Sequence, residues 1–335
     1  MTSALNQVSK SGKLERKQSV FRDFVEEGSD PSRYALYVSK ACPWATRTLQ
    51  FLKLKGIEMD VLSVHPTWRR TRPTDPNDSH AGWHFLESND QDRYVDDHGR
   101  SYSAQGCTAD TLNGCKTMRD LYDLAEEGNF TRSAFTTPVL WDKENKTIVN
   151  NESSEICRML NTSFQGFAKN KDVDLYPAHL EDKISELEKW IYSDINNGVY
   201  KCGFCQSQEA YDEAVFTLYE ALDRVEEILG TSRYLCGSSV TGVDIWLINT
   251  LVRFDPVYVV YFKCSRKCIR EYHNISNYVR DLYQIPEIGS TIDFWNIRTH
   301  YFTSHNHLNP FAIVPTMPDF DYNGSHDRAE RFPQY

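Results

Sequence analysis

One cysteine, Cys42, stands where a short β-like run gives way to a helix. The run Tyr34–Val38 is aromatic and β-branched, and Pro43 suits the first turn of a helix. Unpaired N–H groups and the helix dipole favour negative charge there, so a cysteine at that position favours its nucleophilic thiolate. A buried structural cysteine is the alternative reading. The position after a strand and before Pro43 favours the catalytic role.

The motif around this cysteine contains a single thiol. The sequence Cys-Pro-Trp-Ala at 42–45 has no second cysteine three residues on. A dithiol protein resolves its mixed disulfide internally, whereas this motif needs an external thiol. Glutathione is the abundant candidate, which predicts a glutathione-dependent thiol transferase.

Two further stretches suit glutathione. Glu152 and Ser153 open a predicted helix, where Ser153 and backbone N–H groups would hold a carboxylate and Glu152 an ammonium. Simple helix capping is the alternative for this pair. Pro138 precedes a strand; in thioredoxin-like folds a proline there is cis, and the residue before it, Thr137, offers its backbone to a bound thiol peptide. The sequence leaves the isomer open.

The pattern of elements predicts a thioredoxin-like N-terminal domain followed by an all-helical domain, an α/β plus all-α fold. A strand, a helix ending at Gly56 and a second strand over 59–64 make a βαβ unit. Residues 243–252 are apolar nearly all round, which predicts a central buried helix. The predicted divisions are an extended arm over 1–33, a glutathione-binding domain over 34–165 with an insertion at about 65–114, a helical substrate and dimer domain over 176–318, and a tail over 319–335.

Charge and composition exclude several classes of partner. The net charge of -10 argues against nucleic acid, which requires a basic footprint. No apolar run is long enough to predict a membrane span. The odd count of nine cysteines favours a reducing, cytoplasmic location. The basic, Ser-rich first 20 residues leave mitochondrial targeting as the alternative.

Short motifs along the chain carry a family resemblance. They are CPWA at 42–45, GWHF at 82–85, PVLWD at 138–142, TIVNNESSEI at 147–156, INNGVYKCGF at 195–204, RFDPVYV at 253–259, HYFTSH at 300–305 and NP at 309–310. In these stretches the sequence resembles the Xi class of glutathione transferases, the glutathionyl-hydroquinone reductases. The resemblance runs from about Tyr34 to Pro318, apart from parts of the insertion.

The resemblance implies a role for each matching residue. Cys42 matches the catalytic cysteine, and Tyr200 and Tyr301 resemble tyrosines that face the aromatic substrate and hydrogen-bond near the sulfur. Trp83 matches the tryptophan that packs over glutathione. The remaining glutathione-binding positions are Thr137, Pro138, Val139, Glu152 and Ser153. The resemblance also implies glutathione as co-substrate, glutathionylated aromatic substrates and a homodimer.

Three positions depart from the family pattern. Thr46 stands where His is usual, Thr137 where Val is usual, and Cys205 where Ala is usual. None of the three removes a catalytic group.

Two other clusters receive simpler interpretations. Cys202 and Cys205 have Cys-x-x-Cys spacing, but zinc needs two more ligands and no ligand pattern supplies them, so we expect no metal. A redox role for this pair is a minor hypothesis. The histidines His300, His305 and His307 are expected to form a polar rim near the active site.

The expected reaction is reduction of S-glutathionyl-hydroquinones to hydroquinones through a mixed disulfide of Cys42 with glutathione. One alternative is an omega-like thioltransferase or dehydroascorbate reductase, which shares Cys42 and the glutathione site. A non-catalytic interaction module of the same fold is the alternative from another class, and retention of Cys42, Trp83 and Glu152 argues against it.

Overall fold

The computed structural model describes residues 8–9, 11–14, 18–90, 93–125 and 134–333. The described chain folds into two compact units. The sheet unit comprises 18–171 and 292–314, and the helical unit comprises 8–14, 172–291 and 315–333. A mixed sheet with helices in one unit and helices alone in the other confirm the predicted fold class.

The sheet unit is built on four central strands. Its elements are β1 (Tyr34–Val38), α1 (Pro43–Lys55), β2 (Asp60–Ser63), β3 (Arg69–Arg70), β4 (Ala81–Gly82), β5 (Arg93–Val95), β6 (Ser101–Ser103), α2 (Met118–Ala125), β7 (Val139–Asp142), β8 (Thr147–Asn150) and α3 (Ser153–Thr162). The order of strands in the central sheet is β2-β1-β7-β8. Strand β2 is parallel to β1, whereas β7 is antiparallel to both of its neighbours, β1 and β8.

This topology brings three chain segments to one end of the sheet. Strands β1 and β8 are each antiparallel to β7, so they run in the same direction. The helices that follow them, α1 and α3, therefore start at the same end, and β7 starts there too. We call this the helix-start end of the sheet. Functional groups in open α/β sheets gather at such ends.

Both faces of the sheet are covered. Alternate strand residues Tyr37, Trp141 and Ile148 pack in one cluster with Met118 and Leu121 of α2. Because side chains alternate along a strand, the intervening residues face the other side, where α1 and α3 pack against each other.

Local signals set the bounds of α1. Pro43 occupies its first turn, and Gly56 ends it with a φ of 64°, a left-handed conformation that favours glycine. Strand β7 begins at Val139, directly after Pro138, as the sequence predicts, because Pro138 has no N–H for the ladder.

The insertion predicted at about 65–114 has regular structure in its described residues, 65–90 and 93–114. It forms the ribbons β3–β4 and β5–β6 and returns to the sheet, where Thr108 N–H donates to the Ser63 carbonyl at 2.8 Å. Trp83 directly follows β4, and its carbonyl accepts a hydrogen bond from Met118 N–H at 3.0 Å. The insertion thus positions Trp83 at the start of α2.

Within the predicted arm, the described segment before β1 pairs with the sheet. Arg22 bridges Asn150 of β8 in antiparallel fashion, and Asp23 N–H donates to the Val149 carbonyl at 3.1 Å. The Arg22 guanidinium also pairs with the Glu155 carboxylate. Residues 1–7, 10 and 15–17 of the arm lie outside the described residues.

The helical unit contains α4 (Glu181–Trp190), α5 (Gly198–Phe204), α6 (Gln208–Thr231), α7 (Gly242–Arg253), α8 (Val259–Tyr261), α9 (His273–Tyr283), α10 (Pro286–Gly289) and α12 (Arg328–Arg331). Two π-helical segments, Ile191–Asn196 and Phe254–Tyr258, precede α5 and α8. All residues of α7 are buried, as the sequence predicts, and Thr241 with Asp244 forms its capping box.

One helix from the C-terminal half belongs to the sheet unit. Helix α11 (Phe294–Ser304) hydrogen-bonds the insertion: its Thr303 hydroxyl lies 2.8 Å from that of Thr67, and Trp68 N–H donates to Ser304 Oγ at 3.1 Å. The sequence analysis placed this helix in the helical domain of 176–318. The grouping differs because these contacts join residues far apart in sequence, which periodicity does not reveal.

No helix in the described part of the chain is both long and apolar enough to span a bilayer. All nine cysteines lie within the described residues, and all are free thiols.

We predict that the insertion makes the sheet unit sensitive to acid through His65. Its ring is buried and stacks on Tyr94 at 3.6 Å; Nε2 donates to the Ser103 carbonyl, and Nδ1 accepts from Thr67 N–H. Burial lowers the pKa of His65 to about 4. The folded state therefore excludes a proton that the unfolded state binds below about pH 6.5, so stability falls as pH decreases from about 6.5 towards 4.

Lowering the pH from 7 to 5 should cost about 2 kcal/mol through this residue. Urea unfolding at the two pH values, followed by tryptophan fluorescence, measures that loss. His65→Gln should reduce the loss of stability between pH 7 and pH 5 by about 2 kcal/mol. The dependence that remains belongs to other histidines whose pKa burial also lowers, namely His80, His84 and His305. The control His98→Gln, at an exposed position, should retain the full dependence. An unchanged pH dependence in His65→Gln would contradict the assignment.

Candidate active site

Cys42 is the N-cap residue of α1. Its backbone is extended (φ -77°, ψ 121°), Pro43 follows at the first helical position, and the thiol is half-buried. The Cys42 carbonyl accepts hydrogen bonds from Thr46 N–H and from Thr46 Oγ1, both at 2.9 Å. Thr46, one of the departures from the family pattern, thus fixes the backbone that carries the thiol.

The Cys42 thiol meets the segment that leads into β7. Its Sγ donates to the Thr137 carbonyl at 3.5 Å, and the Thr137–Pro138 peptide bond is cis. Val139 is buried and pairs with Tyr37 of β1. The Thr137 hydroxyl is buried and has no hydrogen-bond partner among the described residues. Val is usual at this position in the family pattern. Because the backbone of Thr137 makes the contact with the thiol, that contact does not depend on the side chain.

Glu152 and Ser153 lie at the start of α3, at the same end of the sheet. One oxygen of Glu152 accepts from Ser154 N–H at 3.2 Å and from Ser154 Oγ at 3.0 Å, so the capping interpretation is realised. The other oxygen accepts from Ser19 Oγ at 3.0 Å. Glu152 keeps 26% of its side chain exposed, which leaves its carboxylate accessible to a ligand.

A buried arginine that the sequence analysis did not single out joins the two helix starts. Arg47 of α1 is 2% exposed and donates to Ser153 Oγ at 2.5 Å. Its guanidinium also lies 3.7 Å from the Glu152 carboxylate and 5.0 Å from the Trp44 ring. The signal available in the sequence was a cation five residues after Cys42, within the predicted helix.

Trp83 lies in an aromatic cluster with α11. Its ring stacks on His300 at 4.5 Å and meets Trp68 edge-on at 5.5 Å. His300 Nδ1 donates to the Pro66 carbonyl at 2.8 Å, and His305 packs on Trp68 at 5.2 Å.

The expectation of a polar histidine rim is wrong for two of its three members. His300 and His305 are both buried, and only His307 is exposed. Burial lowers the pKa of His305 well below its usual range, with His300 and His307 as further causes. The physical reason is the aromatic cluster, whose Trp68 ring packs on the two buried imidazoles.

The two predicted substrate tyrosines lie in different units. Tyr301 of α11 is buried in the sheet unit, with its ring 5.3 Å from that of His300. Tyr200 of α5 is buried in the helical unit and packs on Phe262 at 5.4 Å and Tyr258 at 6.0 Å.

The arrangement in the sheet unit suits a particular chemistry. The start of α1 presents a thiol beside a peptide carbonyl, where a thiol nucleophile and an extended peptide can meet. The start of α3 presents backbone N–H groups and Ser153 to an anion, and Ser153 is held by the buried Arg47. Glu152 is available to an ammonium. Within the described chain, no three or more His, Cys, Asp or Glu side chains gather as metal ligands.

Two family models match the chain. The glutathione S-transferase N-terminal domain matches residues 41–163, and the glutathione S-transferase C-terminal domain matches residues 208–279.

Known proteins are similar over nearly the whole chain. The glutathionyl-hydroquinone reductase YqjG of Escherichia coli (strain K12) is 44% identical over 97% of this chain and 94% of its own. Its glutathione-bound structure covers 92% of this chain and 91% of its own, with a TM-score of 0.79.

Two fungal proteins extend the comparison. The glutathione S-transferase Xi of Phanerochaete chrysosporium has a TM-score of 0.80 and 42% identity, covering 93% of this chain and 95% of its own. A glutathione S-transferase omega-like 2 of Schizosaccharomyces pombe is 40% identical over 92% of this chain and 95% of its own.

We predict that Arg47 positions the groups at the start of α3 for glutathione. Arg47→Met should raise the KM for glutathione about 10- to 100-fold, because a charge-assisted hydrogen bond contributes about 1.5–3 kcal/mol. Alkylation of Cys42 by iodoacetamide should keep its rate, because the Thr137 contact does not involve Arg47. Steady-state kinetics and alkylation rates supply the two measurements.

The matched control is Arg33→Met. Arg33 also pairs with a carboxylate, Asp142, but at the opposite end of the sheet. Arg47→Lys should recover part of the affinity because the charge remains. Equal changes in the KM for glutathione in the Arg47→Met and Arg33→Met variants would contradict the positioning role and indicate that Arg47 only stabilises the fold.

Proposed function

The chain belongs to the Xi class of glutathione transferases, and we propose that it reduces S-glutathionyl-hydroquinones to hydroquinones with glutathione as co-substrate. The observation that carries the proposal is the contact between the Cys42 thiol, at the N-cap of α1, and the Thr137 carbonyl before cis-Pro138. The activity named for the Escherichia coli relative supports the choice of substrate class.

The reaction begins with attack on sulfur. The Cys42 thiolate attacks the sulfur of the glutathionyl-hydroquinone, and a disulfide forms between Cys42 and glutathione. The carbon–sulfur bond breaks, and its electron pair remains on the ring carbon, which takes up a proton. Free hydroquinone leaves.

A second glutathione completes the cycle. Its thiolate attacks the glutathione sulfur of the mixed disulfide, Cys42 leaves as a thiolate, and glutathione disulfide is released. The net reaction converts one glutathionyl-hydroquinone and one glutathione into hydroquinone and glutathione disulfide. The ring carbon gains two electrons, and the sulfurs of the conjugate and of the added glutathione are oxidised to the disulfide.

The residues around Cys42 supply binding and orientation. The Thr137 backbone and Val139 would hold the extended peptide of glutathione, and Trp83 would pack over it. At the γ-glutamyl end, Ser153 and the N–H groups of α3 would bind the carboxylate and Glu152 the ammonium. The bonds from Arg47 to Ser153 and from Ser19 to Glu152 support this assignment, since they fix both side chains.

The second candidate is an omega-like thioltransferase or dehydroascorbate reductase. The omega-like name of the Schizosaccharomyces pombe relative favours it. It uses the same cysteine and glutathione site, so only the substrate comparison below separates the two. A homodimer formed by the helical unit and a cytoplasmic location stay predictions; nine free thiols are compatible with a reducing compartment.

We predict that Cys42→Ser abolishes the reductase activity and leaves the fold and glutathione binding largely intact. The reason is that the hydroxyl replaces the nucleophile while the N-cap geometry of α1 accepts serine. Product formation by chromatography and glutathione binding by calorimetry measure the two effects. Intact-mass spectrometry should show the loss of the adduct at position 42.

Cys107→Ser is the matched control, because Cys107 is another half-buried thiol of the sheet unit. It should retain full activity. If Cys42→Ser retained most of the activity, the assignment of Cys42 as the nucleophile would be wrong.

We predict that the hydroxyls of Tyr200 and Tyr301 are needed for carbon–sulfur cleavage but not for disulfide exchange. A thiolate leaves a disulfide easily, whereas a carbon leaving group needs stabilisation or protonation. The double variant Tyr200→Phe/Tyr301→Phe should therefore slow hydroquinone release by about 10²–10⁴-fold, as loss of a general acid does. Reduction of a glutathione mixed disulfide should change far less.

Rates on a glutathionyl-hydroquinone, a mixed disulfide and dehydroascorbate, compared side by side, provide the test. Tyr258→Phe is the control, because Tyr258 packs in the same aromatic cluster as Tyr200. Equal losses on all substrates would indicate a packing defect and refute the role of the tyrosine hydroxyls.

A further inference from the structure

Three thiols gather in the helical unit. Cys202 lies in the last turn of α5, Cys205 is the C-cap residue of that helix, and Cys264 follows α8. Cys202 and Cys264 are fully buried, and the Cys264 thiol donates to the Phe262 carbonyl at 3.9 Å. Cys205 is half-buried, and its Sγ donates to the Cys202 carbonyl at 3.1 Å. One accessible thiol therefore adjoins a buried pair.

The accessible thiol borders an open cleft on the surface of the helical unit. The cleft is lined on one side by residues of α5 and α6 and on the other by Lys13 and Leu14 of the N-terminal segment. Two ammonium groups line it, Lys13 beside the Glu213 carboxylate at 2.6 Å and Lys201 beside the Ser193 carbonyl at 2.9 Å. Together with the lining carboxylate of Asp194, they offer both charge signs to a peptide that carries two carboxylates and an ammonium.

The backbone geometry permits a disulfide between positions 202 and 205. Residues three apart at the end of a helix have Cα atoms about 5 Å apart, inside the window of about 4.4–6.8 Å for a disulfide. The backbone of Cys205 is extended (φ -60°, ψ 151°), so this residue lies outside the regular helix. Its Sγ already lies over the last turn, against the Cys202 carbonyl.

We propose that Cys205 is a second site of glutathione attachment and that Cys202 resolves it. The Cys205 thiolate attacks glutathione disulfide in the cleft, forming a mixed disulfide and releasing one glutathione. The Cys202 thiolate then attacks the Cys205 sulfur and releases the second glutathione. The two cysteines are oxidised to a disulfide, and one glutathione disulfide is reduced to two thiols.

The order of attack follows from accessibility, because Cys205 is half-buried at the cleft whereas Cys202 is fully buried behind it. Burial raises the pKa of the Cys205 thiol, and the Lys263 ammonium opposes that rise. Burial also raises the pKa of the Cys264 thiol well above its usual range, which keeps that thiol protonated. The site takes its oxidant from the product of the proposed reaction, so it would sense accumulated glutathione disulfide.

The experiment uses the full-length Cys42→Ser protein, so that its outcome does not depend on the reductase activity. Glutathione disulfide is the probe, and intact mass with peptide mapping after alkylation is the readout. The protein should lose two hydrogens, with Cys202 and Cys205 joined. Adding Cys205→Ser should prevent this change, and adding Cys202→Ala should trap one glutathionyl group on Cys205.

Cys268→Ser in the same background is the control, because Cys268 is a half-buried thiol of the helical unit outside the cluster. It should react as the parent does. Circular dichroism checks the fold of the Cys202→Ala protein. The result for the Cys205→Ser variant tests the proposal even if Cys202→Ala does not fold. An unreactive parent, attachment at Cys107, Cys115 or Cys268 instead, or oxidation of Cys202 that persists in Cys205→Ser would overturn the proposal.

Discussion

The contact between Arg47 and Ser153 joins two helix starts, and the proposed glutathione site depends on it. Helices α1 and α3 begin at the same end of the sheet because β1 and β8 run in the same direction. Each helix start presents unpaired N–H groups, one set beside Cys42 and the other beside Ser153. Arg47 is a residue of the first helix that contacts the first residue of the second.

A buried guanidinium sets a constraint on its surroundings. Taking a charge out of water costs several kcal/mol unless hydrogen bonds and an opposite charge compensate. Ser153 and Glu152 supply such compensation, and Glu152 is in turn held by Ser19 from the segment before β1. The same groups that would recognise the γ-glutamyl end thus also stabilise the join between α1 and α3.

Local chemistry made much of the fold predictable. Pro43 and Gly56 mark the ends of α1, Thr241 and Asp244 cap α7, and the unbroken apolar run of α7 indicates burial. These features depend on residues a few positions apart. The family motifs added the expected roles of Trp83, Tyr200 and Tyr301, which periodicity alone would not assign.

What the sequence did not reveal depends on long-range packing. The burial of Arg47 results from the start of α3, about a hundred residues later in the chain. The burial of His300 and His305 depends on Trp68 and on the Pro66 carbonyl. Histidines close together in sequence suggest a polar surface, because the sequence does not show that their aromatic partners lie in another segment.

The attachment of α11 to the sheet unit has a consequence for how the protein is made. The sheet unit is discontinuous in the chain, because the described residues 172–291 of the helical unit are synthesised between its two parts. At about 5–20 residues per second, the ribosome finishes the first part on the order of ten seconds before it delivers α11. During that interval Trp68 and Trp83 lack the His300 ring that covers them in the finished protein. The nascent chain therefore carries an uncovered aromatic surface, of the kind that chaperones bind, until most of the protein has left the ribosome.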